Sequence, residues 1–510
     1  MSKSNLVKST GIIGFATATS RVLGFVRDIV IANFFGTALY AQAFVVAFRI
    51  PNLLRDLIGE GATNAAFVPV LTEELTNRGR KDFFKLAQVL LNILFVVLIV
   101  MTFIGIAASP LIVKAMAPGF SIDKEKFDVT VNLTRALFPF LLLVGLWAYA
   151  MGLLNTMGKF AAPAFGPAIL NLSIILCAQW FGENVYGLAA GVLVGGALQL
   201  IMQFPSLRAC GWKMALTTEF THPKAKKIGV LLIPRALGAC VYQVNVFIST
   251  ILASLSSIVG DGAVAALYYA NRIWQLPLAV FGIALAQAAL PTMSKHAALK
   301  DMGKLKDTLL FSMKILFFVL IPASVGIMIL SEPITKVLFQ RGAFTSYSTS
   351  ITSSALFYYA IGLIACGGIK VLVSAFYSMH DTTTPVKVAA VSLILNIVFN
   401  LALMGPLKVG GLALATSIAA VFNFAALFIL LRKKIGDFGT RVMAGSFVRV
   451  TLSAMVMVMI LKVLLLSFPD YSVISLAVYI LLGIITFFAA SYAFKVAELR
   501  DFIAWITKKR

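Results

Sequence analysis

Acidic residues are scarce in this chain: 20 Asp and Glu stand against 43 Lys and Arg, and charged residues of both signs make up only 12%. A soluble domain carries about 25% charged and about 45–50% apolar residues, so this shortage excludes a protein built mainly of soluble domains. Histidine is rarer still, and His222, His296 and His380 all fall in stretches that read as cytoplasmic loops. No membrane-buried His, Ser–His pair, metal-ligand cluster or Walker-type glycine loop appears, so nothing in the sequence supports an enzyme, an ATPase, a metal site or a cofactor. Cys177, Cys210, Cys240 and Cys366 stand singly in or beside apolar segments and read as small core residues, not as a disulfide framework. The uninterrupted apolar core of a cleaved signal peptide is also missing, because the first span carries two arginines and an aspartate.

What is present is hydrocarbon. Hydrophobic residues make up 60% of 510 positions, with a mean hydropathy of +0.95, so the chain reads as an all-α polytopic membrane protein. Apolar runs long enough to cross a bilayer number roughly fourteen. They lie near 11–35, 40–70, 86–108, 130–155, 162–181, 186–205, 228–257, 262–292, 306–330, 350–378, 385–404, 410–431, 446–468 and 473–494. The second and eighth are weak by hydropathy and contain Pro51 and Pro277, as expected of helices that line a polar cavity. A net charge of +23 would point to nucleic acid in a soluble protein. Here it follows the positive-inside rule, with about 26 Lys and Arg in one set of loops and about 6 in the other. That asymmetry predicts both termini in the cytoplasm and no nucleic-acid partner.

The first twelve spans read as two copies of six. Ser109-Pro110-Leu111-Ile112 recurs as Ser331-Glu332-Pro333-Ile334, Met157 with Pro163 recurs as Met379 with Pro385, and Gly187-Leu188-Ala189 recurs as Gly411-Leu412-Ala413. Several matches in order at nearly one offset indicate duplication. The expected division is an N-lobe over 1–208, a cytoplasmic linker over 209–227, a C-lobe over 228–434, and two appended helices with a basic tail over 435–510. Two lobes of equal orientation would place a central cationic cavity between them.

Charge inside the spans is the most informative feature. Arg21, Arg27, Arg49, Arg55, Arg235 and Arg272 lie in apolar segments whose carboxylates are Asp28, Asp56 and Glu60. A central membrane arginine costs roughly 2.5–3.5 kcal/mol even on lenient insertion scales, so such residues face water or a partner. Arg21 with Asp28 and Arg49 with Asp56 are seven positions apart and share a helical stripe. Structural ion pairing is an alternative reading of the aspartates. It does not account for the whole set, because Arg235 and Arg272 have no acid nearby in sequence. A guanidinium fork suits phosphate, so the expected substrate is anionic. Arg135, Lys314, Lys370, Arg449 and Lys462 read as snorkelling or locally paired.

Ser20-Arg21-Val22-Leu23-Gly24-Phe25-Val26-Arg27-Asp28, Phe48-Arg49-Ile50-Pro51-Asn52-Leu53-Leu54-Arg55, Glu60-Gly61-Ala62 and Tyr268-Tyr269-Ala270-Asn271-Arg272 strongly resemble the MurJ/MviN lipid II flippases. Leu290-Pro291, Phe376-Tyr377-Ser378 and Thr384-Pro385-Val386-Lys387 extend the resemblance over essentially the whole chain. It implies the multidrug/oligosaccharidyl-lipid/polysaccharide exporter fold: two six-helix lobes in a V plus two C-terminal helices. It also implies movement of lipid II from the inner to the outer leaflet of the cell membrane for peptidoglycan synthesis, with the cell-wall synthesis machinery as a further partner. Carried over residue by residue, the substrate-binding set is Arg21, Arg27, Arg55 and Arg272, with Asp28, Arg49, Asp56, Glu60 and Arg235 as supporting charges. Gln42, Asn271 and Gln275 stand where some relatives carry acids. Spans 228–257 and 385–404 hold no Asp or Glu, and Asp381 is the only carboxylate near the place where some relatives bind sodium, so no metal is expected. The rival readings are an exporter of another undecaprenyl-pyrophosphate oligosaccharide, a multidrug antiporter, a membrane-embedded prenyl-phosphate enzyme and a scaffold.

Overall fold

The computed structural model describes the backbone of residues 3–55, 67–212, 219–468 and 471–500, and side chains over the same ranges except residues 3–10, 54–55 and 231–242. Among the described residues the regular structure is helical throughout. An apolar chain in lipid has no water to bind its amide groups, and a helix satisfies them within the segment.

The chain divides into two compact units, residues 1–255 with 341–344, and residues 256–340 with 345–510. The first contains α1 (Lys3–Phe35), α2 (Leu39–Arg55), α3 (Val68–Met116), α4 (Lys124–Leu137), α5 (Pro139–Thr156), α6 (Ala161–Phe181), α7 (Tyr186–Ile201), α8 (Phe204–Ala209) and α9 (Pro223–Ser254). The second contains α10 (Ser256–Val259), α11 (Ala263–Pro277), α12 (Ala284–Ala298), α13 (Met302–Ile329), α14 (Ser331–Phe339), α15 (Ser346–Ile361), α16 (Leu363–Ser378), α17 (Thr383–Ile435), α18 (Thr440–Ser467) and α19 (Val473–Ala493).

Helix ends follow local chemistry. Asp123 accepts from the Lys126 amide to start α4, Asp301 accepts from the Lys304 amide to start α13, and Ser472 forms a capping box with Ser475 at α19. Pro277 ends α11, and the ladder then loosens into a π-helical stretch, Leu278–Ile283, before α12 resumes. The outward faces are apolar because their solvent is hydrocarbon: Leu111, Phe103, Leu466 and Ile474 are exposed. Trp180 is exposed near the end of α6, where an indole suits the headgroup region.

Nine helices among the described residues are long and apolar enough to cross a membrane, or ten when the bent pair α15 and α16 is taken as one span. That is fewer than the fourteen expected. The expected spans 385–404 and 410–431 are the two limbs of α17, broken at Lys408, whose φ is +49. The expected spans 11–35, 40–70 and 228–257 correspond to α1, α2 and α9, where charged residues lower the hydropathy or where the span extends beyond the described residues.

The sequence repeat has a backbone counterpart inside each unit. Met157 closes α5 and is followed by Gly158 in the left-handed region, φ +74; Met379 closes α16 and is followed by His380 at φ +60. Gly187 and Gly411 both sit where a side chain would collide: a Cβ would lie 2.4 Å from Phe181 Cβ in the first case and 2.1 Å from the Leu403 carbonyl oxygen in the second. Each glycine lets a helix close tightly on the one before it.

Candidate functional site

Two arginines of the first unit, Arg27 and Arg49, are held by polar groups placed on neighbouring helices. Arg27 and Asp28 are both buried on α1. Arg27 donates from Nη2 to Asp28 Oδ1 at 2.7 Å and from Nε to the same oxygen at 3.1 Å, while Nη1 donates to Asn171 Oδ1 on α6 at 2.9 Å. Successive residues on a helix point about 100° apart, but the long arginine side chain folds across that angle and reaches its neighbour. Asp28 is thus paired with the adjacent arginine, whereas Arg21, two turns back on its stripe, is exposed.

Asn171 also donates to the Ser20 carbonyl at 3.0 Å. It approaches so closely because residue 24 is glycine; a Cβ there would lie 3.3 Å from Asn171 Nδ2. One amide therefore fixes the α1–α6 contact and orients the guanidinium together. A lone asparagine in the apolar run of α6 was the sequence signal for this role, and charge-based reading passed over it.

Arg49 is half-buried on α2 and donates to the Thr250 hydroxyl on α9, another partner that the sequence reading missed. Gln42 is buried on the same helix. Arg55 ends α2, and Arg235 lies on α9, but both side chains fall outside the described residues, as do Asp56 and Glu60 entirely.

In the second unit Arg272 is half-buried on α11. Its Nη2 lies 3.1 Å from the Tyr268 hydroxyl one turn earlier, and its guanidinium carbon is 5.0 Å from the Tyr268 ring centre. That is a hydrogen bond combined with a cation–π contact. Asn271 and Gln275 flank it and are half-buried.

Asp381 lies in the turn between α16 and α17. Lys434 donates to its Oδ2 at 2.5 Å, and the Thr384 amide and hydroxyl donate at 3.0 and 2.9 Å. The Lys434 ammonium first, and the Thr384 amide next, hold this carboxyl down at about 2. Asp381 thereby ties the beginning of α17 to its end. Lys314, which read as snorkelling or locally paired, is paired: it meets Glu498 from beyond α19 at 3.0 Å.

The second unit also contains an apolar groove of about 840 Å³, lined by side chains such as Phe317, Ile364, Phe424, Phe428 and Phe447, with Thr440 and Arg441 at the start of α18. Of the last two helices, α18 supplies lining residues.

The family described as "Lipid II flippase MurJ" matches this chain over residues 31–482. A "Probable lipid II flippase MurJ" of Rhizobium tropici is 36% identical over 441 residues, covering 84% of this chain and 81% of that protein. The "Lipid II flippase MurJ" of Burkholderia cenocepacia is 34% identical over 438 residues, covering 84% of each. Among solved structures, "Lipid II flippase MurJ, inward closed conformation" superposes with a TM-score of 0.81 at 26% identity, covering 96% of this chain and 99% of that one. An inward-facing multidrug resistance MATE family transporter of the MOP superfamily shares the fold, with a TM-score of 0.71 at 15% identity over 82% of this chain and 96% of its own. This integral membrane protein belongs to the lipid II flippase MurJ family.

Proposed function

We propose that this protein moves lipid II, an undecaprenyl-pyrophosphate-linked peptidoglycan precursor, from the inner to the outer leaflet of the cytoplasmic membrane by alternating access. The observation that carries the reading is the buried Arg27–Asp28–Asn171 constellation between α1 and α6, in a chain of this family whose spans hold more arginine than acid. A guanidinium held in place by an amide and a carboxylate is preorganised for an anion, since the ordering is complete before the ligand arrives. Arg21, Arg27, Arg55 and Arg272 bind the pyrophosphate, and Asp28, Arg49, Asp56, Glu60 and Arg235 set the field around it. No bond is made or broken in this reading, so the protein is a transporter and not an enzyme.

The prenyl tail takes a different solvent. Each buried CH₂ contributes about 0.8 kcal/mol, and the groove lined by Phe317, Phe424 and Phe447 is apolar. The lobe division at 209–227, both termini in the cytoplasm, and residence in the inner membrane beside the cell-wall synthesis machinery complete the proposal. Movement of one charge through 100 mV is worth about 2.3 kcal/mol, so the membrane potential supplies the reset of the empty, positively charged carrier.

Complementation of flippase-depleted cells tests the assignment. Single Ala replacements of Arg21, Arg55 and Arg272 should abolish growth while the protein stays in the membrane at normal levels. Full growth from each of them would remove the pyrophosphate assignment. Loss of outer-leaflet precursor on collapse of the pH gradient alone would overturn the role given to the potential.

A further inference from the structure

The apolar groove is braced from behind by a buried ion pair that joins three distant parts of the chain. After α19 the backbone turns through Lys495 at φ +53, and Val496, Glu498 and Leu499 of the segment beyond are buried. Glu498 Oε1 accepts from Lys314 Nζ on α13 at 3.0 Å and from Ser446 Oγ on α18 at 2.9 Å. The Glu498 side chain is 2% exposed and that of Lys314 is 17% exposed.

Groove-lining residues occupy the same turns of the same helices. Phe317 follows Lys314 by three positions, which puts both on neighbouring parts of one face, and Met443 and Phe447 stand on either side of Ser446. The Phe317 and Phe447 rings meet edge to face with centres 5.2 Å apart. Rotation or sliding of α18 on α13 would move Phe447 and alter the width of the groove. Apolar packing alone would tolerate several such positions, and a buried charge pair is an expensive way merely to add stability. What one shared carboxylate does is select a single register, because only one placement of α18 satisfies both donors.

We propose that Glu498 is a positioning residue for the apolar groove: by holding Lys314 and Ser446 at one point it fixes α18 on α13 and sets the fit of the groove to a long apolar tail. The proposal rests on the reading that the groove receives the prenyl tail of the substrate.

The test uses the full-length protein in proteoliposomes, with lipid II as one substrate and a short-prenyl analogue carrying the same head group as the other. For Glu498→Gln, the KM for the long-tailed substrate should rise about tenfold, with kcat and the short-tailed KM unchanged. The charge swap Lys314→Glu with Glu498→Lys should recover most of the loss. Equal effects on both substrates, or none, would overturn the proposal. If Glu498→Gln fails to reach the membrane, Ser446→Ala decides, since it removes one donor and leaves the ion pair; it should weaken the long-tailed substrate alone, and an unchanged KM overturns the claim. Ala444→Trp fills the groove directly. Survival of the tail-length preference in that variant refutes the groove reading itself, whereas its loss there combined with a normal Glu498→Gln refutes only the role of Glu498.

Discussion

The two units hold their membrane arginines in contrasting ways. In the first, Arg27 is buried against a carboxylate on its own helix and an amide from another. In the second, Arg272 is half-buried and leans on the hydroxyl and ring of Tyr268 from its own helix. The first arrangement ties the guanidinium to the packing of α1 on α6, so its charge belongs to the architecture of the unit as well as to any ligand. The second contact, with Tyr268, lies within a single helix. Removal of Arg27 should therefore damage the fold more than removal of Arg272 does.

The largest expected effect tests the first half of that contrast. Arg27→Ala removes the group that both Asp28 and Asn171 engage, and breaking a buried pair in this way costs about 3–5 kcal/mol. The variant should lose both complementation and membrane protein, and should unfold in detergent at a markedly lower temperature. Normal thermal stability for it would collapse the contrast.

Arg272→Ala comes next. Its transport of lipid II should fall about 10–100-fold, the equivalent of losing charge-assisted hydrogen bonds of about 1.5–3 kcal/mol, while its unfolding temperature stays near that of the unaltered protein. Arg272→Lys should recover little, because an ammonium cannot make the two-pronged contact. An unfolding temperature depressed as far as that of Arg27→Ala would show that both units use their arginines structurally.

Asn171 sharpens the comparison from the other side. Asn171→Leu should cost about 1–3 kcal/mol through the hydrogen bonds it loses, seen as a lower midpoint on heating. Asn171→Asp is nearly isosteric and places a second carboxylate on Arg27, so it should retain the fold and yet reduce transport. If Asn171→Asp transports normally, the Arg27 guanidinium is a brace and not a binding group.

The smallest effect concerns Asp381. Its carboxyl is held at about 2 in the folded protein by Lys434 and the Thr384 amide, below the value of about 3.9 for an unperturbed aspartate. Because the folded value is the lower one, its stabilisation is fully present above about pH 4 and fades as pH falls through that window toward about 2. Lys434→Met should flatten the acid side of the unfolding profile there, measured by scanning fluorimetry from pH 5 to pH 2. An unchanged acid limb would mean that the Asp381–Lys434 contact is not made in solution.

Helices were legible in the sequence because an apolar run of span length in a charge-poor chain has one stable backbone solution in lipid. Functional candidates were legible because charge there is costly and therefore conspicuous. The partners were not. Asn171 and Thr250 are ordinary polar residues, and their contacts with Arg27 and Arg49 cross between helices far apart in sequence. The joint between the limbs of α17 was legible, since the expected spans 385–404 and 410–431 leave it between them, although Lys408 and not a glycine takes the positive φ there. Glu498 lay outside the membrane spans and near the end of the chain, so nothing local linked it to Lys314.

The central claim is that this chain moves lipid II across the bilayer, and leaflet assignment in depleted cells tests it most directly. After depletion, lipid-linked precursors in intact cells would be probed with a reagent that reaches only the outer leaflet and then quantified by mass. The account predicts that lipid II accumulates in the inner leaflet, that its outer-leaflet pool disappears, and that re-expression restores it, whereas the Arg272→Ala protein does not. Continued appearance of lipid II outside, with a different undecaprenyl-pyrophosphate oligosaccharide trapped inside, would contradict it.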